Sequence, residues 1–114
     1  LQDVASMLRS FHYVALAPLL THSEDAAPAK GDNGELVKYA ESWHVWMAEH
    51  FLKTYVQQSA GTCYLPANRN ELSALLQLHL LEKSIYELGY ELNHRPEWVS
   101  VPLAGISRIL APAA

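Results

Sequence analysis

Along most of the chain, apolar residues recur three and four positions apart, the period at which an α-helix buries one face. Residues 2–20 carry Val4, Met7, Leu8, Phe11, Val14 and Ala15 in that rhythm, which predicts a first helix with those side chains inward. Pro18 should loosen its last turn, because proline has no amide hydrogen to donate. A second helix is expected over 35–59, with Leu36, Tyr39, Ala40, Trp43, Trp46, Met47, Phe51 and Tyr55 along it. The segment Gly61-Thr62-Cys63-Tyr64-Leu65-Pro66 breaks that pattern. A third helix runs from about Asn70, read as its N-cap, to about His94. A short last helix starts at Pro102, a residue suited to a first turn, and ends at Leu110. No repeat occurs and no stretch alternates as a strand would. The expected fold is therefore all-α, with three to four helices in one domain spanning 1–114. Residues 21–34 collect Thr, Ser, Asp, Pro, Gly and Asn and read as a flexible loop, and the tail after Leu110 as frayed.

On a wheel of about 100° per residue the third helix separates into faces. Leu78, Leu81, Ile85, Leu88 and Leu92 form a continuous stripe, the expected core contact. Beside it lies a band of His79, Glu82, Lys83, Tyr86, Tyr90 and Asn93. Glu87, Glu91 and His94 point further round, towards solvent or another element. Glu82 sits at the border of the stripe, where a partly buried carboxylate needs a partner. Gly89 lies near the same border and admits a ligand or a second helix. Two readings of the band stand side by side. In one, Lys83 and Glu87 are a surface pair and the tyrosines are half-buried packing. In the other, the band is a carbohydrate surface, where carboxylates and amides pair with hydroxyls and aromatic faces cover the ring C–H groups.

Composition narrows the field by exclusion. The 114 residues suit one small core, with 50% hydrophobic and 18% charged residues. Net charge is −4 and the basic residues are scattered, so neither nucleic acid nor an anionic membrane is an expected partner. A single cysteine, Cys63, leaves no internal disulfide and agrees with a reducing cytoplasm. No apolar run approaches the roughly 18 residues of a membrane span. No signal peptide is recognised, and an opening on Leu1 rather than methionine reads as a segment of something longer. Zinc is not expected, since His44 and His50 stand six apart and no His-Glu-x-x-His occurs. Cys63 reads as an incidental thiol. Trp43, Trp46 and Met47 fit one face and read as core, the alternative being a tryptophan stacked on sugar.

The third helix and its sequel carry a specific pattern. Leu81, Glu82, Lys83, Tyr86, Glu87, Tyr90, Glu91, Arg95, Pro96, Trp98, Pro102, Leu103 and Gly105 match LEK-x-x-YE-x-x-YE-x-x-x-RP-x-W-x-x-x-PL-x-G. That is how the C-terminal segment of maltokinases runs, including the kinase part of trehalose synthase–maltokinase fusions. Leu1-Gln2-Asp3-Val4-Ala5-Ser6-Met7-Leu8-Arg9-Ser10-Phe11-His12-Tyr13 resembles a second family stretch, L-x-D-V-A-x-M-L-R-S-F-x-Y-A, and departs from it at Val14. The resemblance is strong over 1–13 and 80–106 and loose between them.

The resemblance implies the helical C-terminal lobe of an aminoglycoside phosphotransferase-like, eukaryotic-kinase-like fold. It implies transfer of the ATP γ-phosphate to the anomeric hydroxyl of maltose, giving maltose 1-phosphate for α-glucan synthesis in trehalose metabolism. By this likeness Glu82, Tyr86, Tyr90, Asn93 and Arg95 are candidate sugar contacts, with Lys83 and Glu87 beside them. Arg95-Pro96 ends the helix and aims a guanidinium at the site or at a neighbouring carboxylate. Asp3 corresponds to a carboxylate that holds the catalytic loop, although a plain helix N-cap explains it too. Arg9 is expected to pair with a carboxylate from elsewhere in the lobe, and Trp98 to lock the turn. No catalytic residue and no metal ligand is expected in this segment.

Phosphoryl transfer also needs a phosphate cradle, a lysine on the phosphates, a catalytic aspartate and metal-binding carboxylates. No glycine-rich phosphate loop occurs here, so ATP and Mg²⁺ are expected to bind ahead of Leu1, on an N-terminal kinase segment. The chain then reads as the acceptor side of a kinase, not catalytic alone, with maltose or a related sugar as ligand. Its other partners would be that kinase segment or trehalose synthase. The alternative is a stand-alone helical interaction module derived from the lobe, most simply a homodimer.

Overall fold

The computed structural model describes residues 1–21 and 33–112, and four helices carry them. They are α1 (Gln2–Thr21), α2 (Asn33–Gln58), α3 (Arg69–His94) and α4 (Ser100–Leu110), with a 3-10 turn, Pro96–Trp98, between the last two. The all-α expectation holds. The loop expected over 21–34 falls almost wholly outside the described residues, of which Thr21 closes α1 and Asn33 opens α2.

Local chemistry explains the boundaries. After α2 the chain turns at Gly61, whose φ of 79° is the left-handed conformation that glycine adopts without steric cost. Ser59 collects that turn: its carbonyl accepts from Thr62 Oγ1 (2.6 Å) and its hydroxyl from Tyr64 (3.2 Å). α3 is capped by Asn68, whose side chain accepts from the Asn70 amide at 2.8 Å. Asn70 is thus the capped residue and not the cap, because a side-chain acceptor serves the amide two positions on. α4 begins at Ser100, before Pro102, which lies in its first turn. Pro18 does not end α1, and Thr21 Oγ1 donates to the carbonyls of Ala17 and Pro18.

α1 is the central element. α2, α3 and α4 all pack on it, and α3 and α4 pack on each other. The body measures 53 × 28 × 26 Å, so few side chains lie fully inside. Val4, Ala5, Leu8 and Leu76 form the apolar centre, with Phe11, Phe51, Leu52, Tyr55 and Leu80 packed around it. Phe11 meets Phe51 edge-on, ring centres 5.7 Å apart. Among the described residues no helix is long and apolar enough to cross a membrane.

On α1, α2 and α3 the facing departs in part from the expectation of an apolar stripe inward, although Val4 and Leu8 are buried as expected. On α1 the buried residues are Val4, Ala5, Leu8, Arg9 and His12, whereas Met7 and Val14 are exposed. On α3 they are Leu76, Ser84, Glu87 and Glu91, whereas Leu78, Ile85 and Leu92 are 59%, 55% and 58% exposed. On α2, Trp43 and Trp46 face outward with Tyr39, and His44 turns inward. The cause is the same each time. Arg9, His12, Glu87 and Glu91 are drawn inward by partners on other helices, which offset the cost of burying charge.

Candidate functional site

The residues of the two family-like segments sort into two groups, one turned inward and one lining a cleft. Arg9 leads the inward group. Its Nε donates to Glu87 Oε2 at 2.9 Å, and its Nη2 stands 2.8 Å from the same oxygen. Glycine at 105 is what admits this guanidinium, because a Cβ built there would overlap it. Glu91 is 1% exposed and takes Arg95 in a two-pronged pair, Nε at 2.9 Å and Nη2 at 2.7 Å. The Tyr13 hydroxyl donates to the same carboxylate at 3.1 Å. Burial, then the charges of Glu87 and Glu91, raise the pKa of that phenol, so it stays a donor. Arg95 in turn lies 4.2 Å from the centre of the Trp98 ring, a cation–π contact that holds the turn after α3. Of its two expected targets, Arg95 takes the neighbouring carboxylate. Glu87 and Arg95 are thus engaged within the fold.

The cleft lies between the first turns of α1 and the middle of α3. Its volume is about 280 Å³, and Asp3, Ser6, His79, Glu82, Lys83 and Tyr86 line it together with Gln2. Helical geometry builds its α3 wall: positions 79, 82, 83 and 86 are three and four apart and fall on one face. Asp3 comes to the opposite wall because α1 packs along α3. Lys83 Nζ stands 5.1 Å from the centre of the exposed Tyr86 ring, and His79 Nδ1 stands 3.6 Å from Glu82 Oε2. Tyr90 and Asn93 continue the same face of α3 beyond the cleft. Tyr90 stacks on His94 at 4.3 Å, and Asn93 Nδ2 donates to the Gly89 carbonyl. Of the sequence candidates, the fold brings Asp3, Glu82, Lys83 and Tyr86 together. It places Tyr90 and Asn93 alongside and turns Arg9, Glu87, Arg95 and Trp98 into the framework behind them.

A second cluster of ionisable groups escaped the sequence reading, since its members come from separate helices. His12 Nδ1 lies 2.8 Å from Arg9 Nη1, which can only donate. The His12 proton therefore sits on Nε2, which donates to Glu41 Oε1 at 3.1 Å. His44 Nδ1 accepts from Arg108 Nη1 at 3.1 Å, and Arg108 Nη2 donates to Glu41 Oε2 at 2.7 Å. The two imidazoles lie 4.5 Å apart, centre to centre. Burial and the neighbouring Arg9 lower the pKa of His12. Burial, His12 and Arg108 bring that of His44 down to about 4. Burial alone would raise Glu41, but the hydrogen bond from His12 and the charges around it hold its pKa below the ordinary value.

Donor atoms of His12, Glu41 and His44 lie within 4.8 Å of one another, close enough for one metal ion. Their chemistry does not suit one. Both Nδ1 lone pairs already accept from guanidinium groups, His12 Nε2 bears its proton, and a cation would join Arg9 and Arg108. The cluster works as a polar clasp that joins α1, α2 and α4, and through Arg9 it reaches Glu87 on α3. An adjoining hollow of about 200 Å³ is walled chiefly by Leu8, Val45, Ala48, Leu80 and Ile109.

The Asp3–Glu82–Tyr86 cleft is therefore the candidate binding site. It offers acceptors at Asp3 and Glu82, donors at Lys83, and an aromatic face at Tyr86, a set that suits a neutral polyhydroxylated ligand. No protein-family model matches the chain.

Proposed function

We propose that this chain is the acceptor-sugar-binding C-terminal segment of a maltokinase-like protein, a helical lobe of the eukaryotic-kinase-like fold. One observation carries the reading. The two stretches that resemble maltokinases, at the start of α1 and along α3, supply the walls of one polar and aromatic cleft. At about 280 Å³ the cleft is slightly smaller than the ~300–1,000 Å³ of complete small-molecule pockets. A sugar held there would be gripped on one side, leaving its reacting hydroxyl to a facing kinase segment.

In this reading Glu82 and Asp3 accept hydrogen bonds from sugar hydroxyls, Lys83 donates to hydroxyl oxygens, and the Tyr86 ring covers C–H groups. Arg9, Glu87, Glu91, Arg95 and Trp98 hold α1 and α3 at the separation the cleft requires. In this reading ATP and Mg²⁺ are held outside this segment. The sequence has no glycine-rich phosphate loop, and the close set of potential metal ligands is histidine-rich and already engaged by arginines. They belong to the nucleotide-binding partner segment, where γ-phosphate transfer to maltose would take place. The setting this implies is the cytoplasm, and the free, exposed Cys63 is compatible with it.

The second reading, a helical interaction module, has an observation of its own. Leu78, Ile85 and Leu92 on α3, and Tyr39, Trp43 and Trp46 on α2, are exposed large apolar side chains. A second copy of the chain or the remainder of a kinase could cover them. Titration with maltose, with ATP and an unrelated disaccharide as controls, separates the readings. Maltose-selective binding supports the acceptor lobe, and its absence together with concentration-dependent dimerisation supports the module.

A further inference from the structure

We propose that His79 reads a hydroxyl of the sugar through Nε2, with the Glu82 carboxylate holding the ring in the tautomer this needs. The inference rests on the acceptor-sugar reading of the cleft and adds to it a residue that determines specificity.

The argument begins with how the other described histidines are used. His12 and His44 accept from arginines. His50 and His94 each turn Nδ1 back to the carbonyl four residues earlier, Trp46 at 2.9 Å and Tyr90 at 2.8 Å. That back-bond is the ordinary way for a helical histidine to satisfy itself, and Leu75 would be the matching partner for His79. His79 does not make it. Its Nδ1 is shut off from solvent, makes no hydrogen bond among the described residues, and faces Glu82 Oε2 at 3.6 Å.

A carboxylate can only accept, so the favourable proton position is Nδ1, directed at Glu82. A neutral imidazole with its proton on Nδ1 has its lone pair on Nε2. At 3.6 Å the contact is an electrostatic one, longer than a hydrogen bond, and the negative charge favours the ring direction and tautomer that turn the N–H towards it. The His79 side chain is 23% exposed and lines the cleft, whereas Glu82 is 65% exposed and keeps an oxygen for a second contact. Two acceptors one helical turn apart suit two adjacent hydroxyls of a pyranose, each donating one hydrogen bond. Lys83 then serves the hydroxyl oxygens and Tyr86 the ring face. A ligand lacking one of the two hydroxyls would leave an acceptor unpaired.

The test follows the imidazole nitrogens of the 114-residue chain by long-range ¹H–¹⁵N correlation while maltose is added. Expected is a saturable shift of His79 Nε2 with the dissociation constant seen on the sugar signals, while His50 and His94 stay in place. His79→Phe should weaken maltose binding about tenfold, the loss of one hydrogen bond. His79→Gln, whose amide reaches the Nε2 position, should retain most of the binding. His79→Asn, which reaches only Nδ1, should not. Maltose binding with an unmoved His79 and an unaffected His79→Phe variant would overturn the role of His79 and leave the acceptor reading standing. No maltose binding by the unaltered chain would overturn both.

Discussion

Arg9 and Glu87, 78 positions apart in sequence, meet at 2.8 Å with side chains 5% and 10% exposed. This contact ties α1 to α3 directly behind the candidate cleft, and Gly105 on α4 makes room for it. Breaking one side leaves a buried charge alone. Arg9→Met or Glu87→Leu should each cost about 3–5 kcal/mol in urea unfolding, and the double variant should recover much of the loss. If the single losses simply added in the double variant, the pair would not be the unit of stabilisation.

Gly105→Ala probes the same relationship from α4. The added Cβ overlaps the Arg9 guanidinium, so the midpoint of thermal unfolding should fall. Combined with Arg9→Met, which removes the guanidinium, the alanine should be far better tolerated. An unchanged midpoint in Gly105→Ala alone would mean that Arg9 does not pass over this glycine.

The clasp of His12, Glu41, His44 and Arg108 predicts a pH dependence. In the unfolded chain His44 binds its proton near 6.5, and in the folded chain only near about 4. Below 6.5 the unfolded form takes up protons first, so stability is full above that value and is lost as pH falls towards 4. His12 is shifted in the same direction and adds to the loss. Thermal midpoints measured from pH 8 to 4 should show this decline, and His44→Phe should flatten it. A midpoint constant between pH 6.5 and 4 would contradict the neutral, arginine-bound histidines.

Two substitutions on α3 report which face is buried. Leu76 is 8% exposed and belongs to the apolar centre, so Leu76→Ala should cost about 2–5 kcal/mol. Ile85 is 55% exposed, so Ile85→Ala should cost no more than about 0.5 kcal/mol, alanine being the better helix former. Reversed magnitudes in chemical denaturation would mean that the apolar stripe is the inner face after all.

That contrast shows what the sequence could and could not convey. Helix number and most boundaries were legible, because caps, prolines and Gly61 act on their immediate neighbours. Facing was legible only in part, as at Val4 and Leu8, because a wheel that scores apolar residues cannot see that Glu87 will find Arg9, or Glu91 will find Tyr13. His12 on α1 is served by Glu41 of α2, and His44 on α2 by Arg108 of α4, and no local pattern announces either partner. At the cleft, the wheel did place His79, Glu82, Lys83 and Tyr86 in one band. That Asp3 forms the opposite wall depends on the packing of α1, and the role proposed for His79 depends on a distance to Glu82.

The measurement that bears most directly on the acceptor-lobe account is a maltose titration of the chain and of Glu82→Ala by ligand-observed NMR. Glu82 is exposed, so its alanine variant should keep the unfolding midpoint of the parent. The account predicts selective maltose binding by the parent, no binding of ATP, and binding weakened about tenfold or more in Glu82→Ala. Failure of the parent to bind maltose, or equal binding by the two proteins, would contradict it.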